Sequence, residues 1–151
     1  MATHVATIKW AAKESGEEFL KGRFSRAHAI SFDGGTEVPA SASPHVVGKW
    51  AVEAAVDPEE MLVASLSSCH MLSFLHLARM AGFTITAYED SAQGTTAEVA
   101  PGRLAVTQVK LRPKIAWAGG APSKEELDRL HHQAHEICFI ANSVKTQVSV
   151  E

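Results

Sequence analysis

The sequence predicts an α+β protein, in which short strands, a long helix, further strands, a second helix and a final strand follow one another. Two observations carry this prediction. A 24-residue apolar segment begins and ends with helix signals, and segments of alternating apolar and polar residues flank it. The chain of 151 residues has no internal repeat and no long linker. We therefore expect a single domain over residues 1–151.

The first third of the chain predicts two short strands followed by a loop. His4–Trp10 alternates weakly, and Ala27–Phe32 ends at the turn signal Asp-Gly-Gly of residues 33–35. Thr36–Val56 contains two prolines and has no clean period. We interpret it as an ordered loop that is long enough to have a functional role.

The central helix is the clearest element. Asp57 is a suitable N-cap, Glu60 completes a capping box, and Gly82 is a natural stop, which predicts a helix over Pro58–Ala81. Apolar and small residues occupy nearly every face, so the helix is predicted to be buried all round. At about 36 Å it is hard for one small domain to wrap, which points to a partner subunit.

The remaining elements are two strands, a helix and a last strand. Phe83–Tyr88 and Leu104–Trp117 alternate in the way typical of an antiparallel sheet with one packed face. Pro113 marks an edge or a bulge in the second of them. A second helix begins at Ser123 with another capping box, and Thr146–Val150 is predicted to be the terminal strand.

Composition excludes several functional classes. With 46% hydrophobic and 21% charged residues the chain is not intrinsically disordered, and a net charge of −3 without a basic run does not suit nucleic-acid binding. The beginning of the chain shows no signal-peptide pattern, and His70, His76 and Arg79 interrupt the most apolar stretch, which argues against a membrane span. Two cysteines are too few for a secreted disulfide scaffold. We expect a soluble cytoplasmic protein.

The two cysteines have two interpretations. Cys69 lies midway along the long helix and Cys138 near the end of the second, and each could be a small core residue. Alternatively they form a redox pair, because packed helices could bring their sulfurs together.

A zinc site is the rival hypothesis from another class. His131, His135 and Cys138 share one helix face at i, i+4 and i+7, and Cys69 could be a fourth ligand of a zinc-stabilised structural or binding protein. The plainer interpretation leaves His131 in solvent and packs His135 with a satisfied ring.

The segment DPEEMLVASLSSCHMLSFLHLARMAGF, residues 57–83, resembles the signature helix of the osmotically induced protein C / organic hydroperoxide resistance (OsmC/Ohr) family. In that family the pattern is approximately N-P-E-E/Q, followed by a small residue and a cysteine, with the cysteine about ten positions after the first glutamate of the motif. The spacing from Glu59 to Cys69 matches, as do the second cysteine before a terminal strand and the order of elements.

The resemblance implies a thiol peroxidase that reduces organic hydroperoxides without a metal, flavin or nucleotide cofactor. Cys69 would be the peroxidatic thiol and Cys138 the resolving thiol, with an external thiol as reductant. Glu59 would orient a catalytic arginine, for which Arg23 and Arg26 are the upstream candidates and Arg26 is preferred. The chain departs from the family at the resolving cysteine, where Cys-Phe-Ile-Ala replaces the frequent C-P-V-S.

The implied fold is OsmC-like, with antiparallel sheets around a long buried central helix in an intertwined homodimer. Helix geometry gives a separate argument for the dimer: ten residues separate Glu59 from Cys69, about 15 Å along one helix. A glutamate cannot serve a thiol on its own helix at that distance. If both act in one site, Glu59 must come from the other chain. A family member with little peroxidase activity is a further alternative.

Overall fold

The computed structural model describes all 151 residues. Its internal contacts divide the chain into two compact units, Met1–Met61 and Leu62–Glu151. The two units differ in architecture, and each is described by itself.

The first unit contains a three-stranded antiparallel sheet in the order β1-β2-β3. Its elements are β1 (Ala6–Lys9), α1 (Gly16–Leu20), β2 (His28–Phe32), β3 (Glu37–Ala40) and α2 (Pro44–Val47), followed by a 3-10 turn over Gly48–Trp50. The two strands predicted at the start of the chain are confirmed. The predicted loop over Thr36–Val56 is wrong in part, because it contains β3 and α2.

Pro39 is the reason that β3 is difficult to predict from the sequence. Pro39 lies inside the strand and pairs in register with Ala29. An edge strand tolerates proline because the missing N–H is not needed on its free side. The carbonyl oxygen of Pro39 instead accepts a hydrogen bond from the backbone N–H of Val56 at 3.1 Å. β3 is therefore held on both sides despite its proline.

The long helix α3 (Pro58–Met80) has the predicted boundaries to within one residue. The backbone N–H of Glu60 donates to the Asp57 carboxylate at 2.8 Å, and the Asp57 N–H donates to the Glu60 carboxylate at 3.0 Å. This reciprocal capping box satisfies two N–H groups that the first turn leaves without a helical partner. After the helix ends, Gly82 takes a positive φ of 86°.

Burial of α3 within the chain is confined to one row, so the prediction that it is buried all round is not met by the chain itself. The buried residues recur at every fourth position: Leu66, His70, Phe74 and Ala78. On the other side Leu72 and Met80 are 60% and 67% exposed. By length and composition α3 could also cross a membrane, a test that core helices of soluble proteins pass as well.

The second unit contains two sheets and a second long helix. β4 (Thr84–Asp90) pairs with β7 (Pro113–Ala118), and β5 (Gln93–Ala100), β6 (Arg103–Leu111) and β8 (Gln147–Val150) form a three-stranded sheet, with α4 over Lys124–Ile137. The predicted start of α4 is confirmed, because the Ser123 hydroxyl accepts from the Glu126 N–H. The antiparallel prediction holds for every pairing except β6 with β8, which is parallel.

Two strand predictions need correction. Leu104–Trp117 is two strands in different sheets, separated at Arg112, whose backbone N–H donates to Asp90 at 2.6 Å. Pro113 begins the second of them, where a missing N–H is tolerated. β5 was not predicted, because its sequence QGTTAEVA is polar and has no alternation of period two.

The buried core belongs to the second unit and has two clusters. One contains Phe74, Ala78, Leu130 and Ala134 from α3 and α4. The other contains Leu66, Val109 and Leu111 from α3 and β6. The buried row of α3 therefore contributes to both clusters, and it fixes the position of Cys69 on the same helix.

Candidate functional site

The two cysteine side chains meet in the second unit. Cys69 projects from α3 and is half-buried, whereas Cys138 caps the C-terminus of α4 and is only 1% exposed. Cys69 is close enough to raise the pKa of the Cys138 thiol through a side-chain hydrogen bond, and no disulfide joins the two cysteines. Packing therefore brings together two residues that are 69 positions apart in the sequence.

The surroundings of Cys138 keep it protonated. Burial raises the pKa of the Cys138 thiol, and the hydrogen bond with Cys69 raises it further. Backbone N–H groups of Ala141 and Ile140 oppose this rise, and the Ala141 N–H donates to Cys138 Sγ at 3.4 Å. Cys138 is thus a buried thiol with two amide donors aimed at its sulfur, in the segment where the chain departs from C-P-V-S.

The residues proposed as zinc ligands do not converge. No group of three or more His, Cys, Asp or Glu side chains is arranged to hold a metal ion. His131 is neither a ligand nor in solvent: its Nδ1 lies 3.0 Å from His70 Nε2, and its ring stacks on Phe74 with centroids 4.2 Å apart. His135 is half-buried on α4. The zinc hypothesis is therefore not supported by the donor geometry.

The His70–His131 pair is buried and uncharged. Burial, together with smaller effects of His131 and His135 and against an opposing effect of Asp90, lowers the pKa of His70 to about 4. Burial also lowers the pKa of His131. His70 makes a hydrogen bond through one ring nitrogen, while its buried Nδ1 has no partner in the chain.

The two candidate arginines lie in the first unit and differ sharply. Arg23 is exposed, with its guanidinium 3.8 Å from the Glu18 carboxylate. Arg26 is half-buried and has no carboxylate within ion-pair distance; its guanidinium carbon lies 3.4 Å from the centroid of the Phe24 ring. One of its terminal nitrogens donates to the backbone carbonyls of Gly22 and Phe24. Of the two arginines, Arg26 is therefore the one whose positive charge is not paired with a carboxylate of its own chain.

Glu59 is exposed in the first turn of α3, and its side chain makes no hydrogen bond or ion pair within the chain. Its neighbour Glu60 is occupied by the capping box, as the sequence predicts. Within the chain Glu59 and Arg26 do not form an ion pair. The carboxylate of Glu59 is therefore free to contact a group outside its own chain.

Arg26 lines an aromatic pocket of the first unit, and this pocket has a volume of about 470 Å³. The rings of Trp10, Phe19 and Phe24 pack together at centroid distances of 4.5 to 5.9 Å. The remaining lining residues are Ile8, His28, Ser41, Ala42 and Pro58. The wall is apolar, with Arg26, His28 and Ser41 as its polar side chains.

Apart from Arg26, sequence reasoning did not assign these residues to a site, because they come from four separate segments and follow no period. The available signal was the three aromatic residues among the first 28 residues, Trp10, Phe19 and Phe24.

The chain belongs to the OsmC-like protein family, whose model matches residues 51–151. That range contains both cysteines and the motif Asp-Pro-Glu-Glu. A search of curated protein sequences finds no match.

Solved structures agree with the family. An OsmC-like protein of unknown function from Vibrio cholerae is 46% identical, with a TM-score of 0.93 over 100% of this chain and 99% of that chain. An organic hydroperoxide resistance protein OsmC from Legionella pneumophila is 18% identical, with a TM-score of 0.70 over 100% and 95% of the two chains. A putative organic hydroperoxide resistance protein from Vibrio cholerae, with captopril in one active site, is 21% identical, with a TM-score of 0.70 over 100% and 90%. The last two share the fold.

Proposed function

We propose that this protein is a thiol peroxidase that reduces organic hydroperoxides, with Cys69 as the attacking thiol and Cys138 as the resolving thiol. The contact between the two free thiols is the observation that carries the proposal. Family membership supports the same chemistry, since two structural relatives are named organic hydroperoxide resistance proteins.

The difference in burial supports this division of roles between the two cysteines. A hydroperoxide must reach the attacking sulfur, and Cys69 is the more accessible of the two. The Cys69 thiolate attacks the distal oxygen of R–O–OH, and the O–O bond breaks as the S–O bond forms. The alkoxide leaves and takes a proton to become the alcohol R–OH. Cys69 is oxidised to a sulfenic acid, and the hydroperoxide is reduced.

Resolution then uses the buried thiol. Cys138 attacks the sulfenic sulfur of Cys69, water leaves, and a disulfide forms. The amide donors of Ala141 and Ile140 stabilise the Cys138 thiolate during this attack, which offsets the effect of burial on its pKa. An external dithiol returns both cysteines to the reduced state. The contact of the thiols supports this step although the C-P-V-S sequence is absent.

We further propose that the active species is a homodimer in which Arg26 and Glu59 of one chain complete the cysteine site of the other. α3 is unbroken from Pro58 to Met80, so the helix-length argument against a glutamate acting on its own chain's Cys69 holds. Arg26 lacks a carboxylate partner and Glu59 lacks any partner within its own chain. A guanidinium beside Cys69 would lower the pKa of that thiol, because it favours the thiolate. We place this chemistry in the cytoplasm.

Intact-mass analysis after one equivalent of cumene hydroperoxide tests the proposal. The wild-type protein should lose two hydrogen atoms as the disulfide forms, and Cys138→Ser should gain one oxygen atom at Cys69 instead. Cys69→Ser should show neither change, and its hydroperoxide consumption should fall to background. An unchanged mass of the wild-type protein, or equal consumption by wild type and Cys69→Ser, would reject the peroxidase assignment.

A further inference from the structure

We propose that His28 is the specificity residue of the aromatic pocket and selects ligands whose polar head carries a hydroxyl hydrogen, R–OH or R–O–OH. The ring accepts a hydrogen bond from that hydroxyl while Arg26 donates to a lone pair of the same head. The identity of R–O–OH as substrate rests on the proposed peroxidase function. The choice of head group rests on the pocket alone.

The first step is the tautomer of His28. Its Nδ1 lies 2.8 Å from the backbone carbonyl oxygen of Arg26. A carbonyl oxygen can only accept, so Nδ1 carries the hydrogen and donates it. In the neutral ring Nε2 is then an acceptor with a free lone pair. Nε2 makes no hydrogen bond within the chain, and the ring lines the pocket.

The second step is the rigidity of this arrangement. His28 is the first residue of β2, paired in register with Ala40, and both its backbone and its ring are therefore held. Arg26 is fixed close by: its backbone N–H donates to Trp50 O at 3.0 Å, and its guanidinium stacks on Phe24. An acceptor and a cationic donor are thus presented to one apolar pocket, and neither has to reorganise when a ligand binds.

The third step is to ask which ligand head groups can bind to His28 Nε2 and the Arg26 guanidinium together. A hydroxyl or hydroperoxide has one hydrogen for Nε2 and lone pairs for the Arg26 guanidinium, so both protein groups are satisfied. An ether offers only lone pairs, which leaves Nε2 without a partner in a pocket walled by aromatic rings. Leaving a polar group unpaired on desolvation reduces affinity by about tenfold or more.

The body of the ligand follows from the walls. Three packed rings and Ile8 favour an aryl or branched alkyl group, and 470 Å³ lies within the range of small-molecule pockets. The ligand class is therefore a compact aromatic or branched alcohol, or the hydroperoxide that yields it.

The test uses the Cys69→Ser protein, which is expected to bind without turnover, and isothermal titration calorimetry at pH 8. The probes are 2-phenyl-2-propanol and its methyl ether, which differ only in the hydroxyl hydrogen and the added methyl group. We expect the alcohol to bind at least about tenfold more tightly. Adding His28→Leu should make the two affinities equal, whereas His28→Gln, which restores an acceptor, should recover part of the preference.

Three results would each overturn the proposal. They are equal affinities for the alcohol and the ether when His28 is present, no measurable binding of the alcohol, and an undiminished preference for the alcohol in His28→Leu. The alcohol–ether comparison decides even if His28→Leu fails to fold. Because no cysteine chemistry is measured, the result is independent of the peroxidase test. A preference for the alcohol in a protein that hydroperoxide does not oxidise would sustain the pocket assignment and reject the peroxidase.

Discussion

The two units of this chain differ in how deeply their apolar residues are buried. In the second unit aromatic and aliphatic side chains of α3, α4 and β6 are fully buried, and Phe74 and Leu111 are completely inaccessible. In the first unit the only residues that reach full burial are small: Ala40, Ser41 and Ser43. Trp10 and Phe19 there remain 41% and 43% exposed and line a pocket.

The two units therefore differ in what their apolar residues contribute: stability in the second unit, and a surface available for recognition in the first. Burial of apolar surface is the main favourable term in folding, so the second unit has the residues that stabilise the fold. The first unit leaves its rings, Arg26 and Glu59 available to contact something other than their own chain. The thiol pair belongs to the well-packed unit, which would hold the two sulfurs of the proposed redox pair in one geometry.

The largest expected effect is a loss and recovery of activity. It tests whether the first unit of one chain completes the cysteine site of the other chain. Cys69→Ser and Glu59→Ala subunits should each be inactive, but their heterodimers should regain one intact site. Activity per heterodimer should return to about half of the wild-type value, and to about a quarter overall if the subunits mix at random. Co-expression with two different affinity tags, followed by a hydroperoxide assay, measures the recovery.

Confirmed heterodimers without recovered activity would mean that Glu59 acts within its own chain or serves only as a charge at the start of α3. A matched control is Glu60→Ala mixed with Cys69→Ser, since Glu60 is occupied in the capping box. Glu60→Ala homodimers should keep their activity and lose some stability.

The contrast in packing predicts unequal costs for removing two phenylalanine rings. Phe74→Ala empties the core of the second unit and should reduce the free energy of unfolding by about 3–5 kcal/mol. Phe19→Ala removes a half-exposed ring and should cost about 1 kcal/mol or less. Urea unfolding followed by circular dichroism measures both. Similar costs would show that the first unit depends on its rings for stability.

The buried histidine pair predicts a loss of stability in acid. The pKa of His70 is 6.5 when unfolded and about 4 when folded, so the unfolded chain binds the proton more readily. Stability is full above about pH 6.5 and should fall by about 3 kcal/mol as the pH drops to 4. Unfolding free energies measured across this range give the slope.

A variant without the imidazole at position 70 checks the origin of that slope. His70→Leu should flatten it, whereas His76→Leu, which removes an exposed ring, should keep it. Burial also lowers the pKa of His131, so some dependence should persist in His70→Leu. An unchanged slope in His70→Leu would assign the acid sensitivity to other groups.

A smaller effect than that of Phe74→Ala is expected where β5 closely approaches α3 in the second unit. A Cβ atom at Gly94 would lie 2.5 Å from a methyl carbon of Val63 and 3.3 Å from one of Val106. Gly94→Ala should therefore cost about 1–3 kcal/mol by overpacking. Gly120→Ala is the control, because nothing lies within 4 Å of its Cβ position. Equal stability of the two variants would contradict the tight packing of this region.

Local chemistry allowed much of the fold to be predicted from sequence. The capping box at Asp57 and the stop at Gly82 defined α3, because these signals lie within a few residues of the helix ends they control. Alternation likewise predicted β4, and a terminal strand was predicted where β8 lies. β3 and β5 were missed, because Pro39 and the polar sequence of β5 suppress the local signal, and only pairing with a neighbour forms those strands.

The candidate site divides in the same way. The sequence by itself indicated which residues the proposed chemistry would use, because the spacing from Glu59 to Cys69 on one helix is a local property that can be compared with the family motif. Only the tertiary structure decided that Cys69 meets Cys138, that His131 turns to His70 rather than to a metal, and that His28 and Arg26 share one aromatic pocket. Each of those contacts joins segments brought together by packing, a non-local interaction that no period or cap encodes.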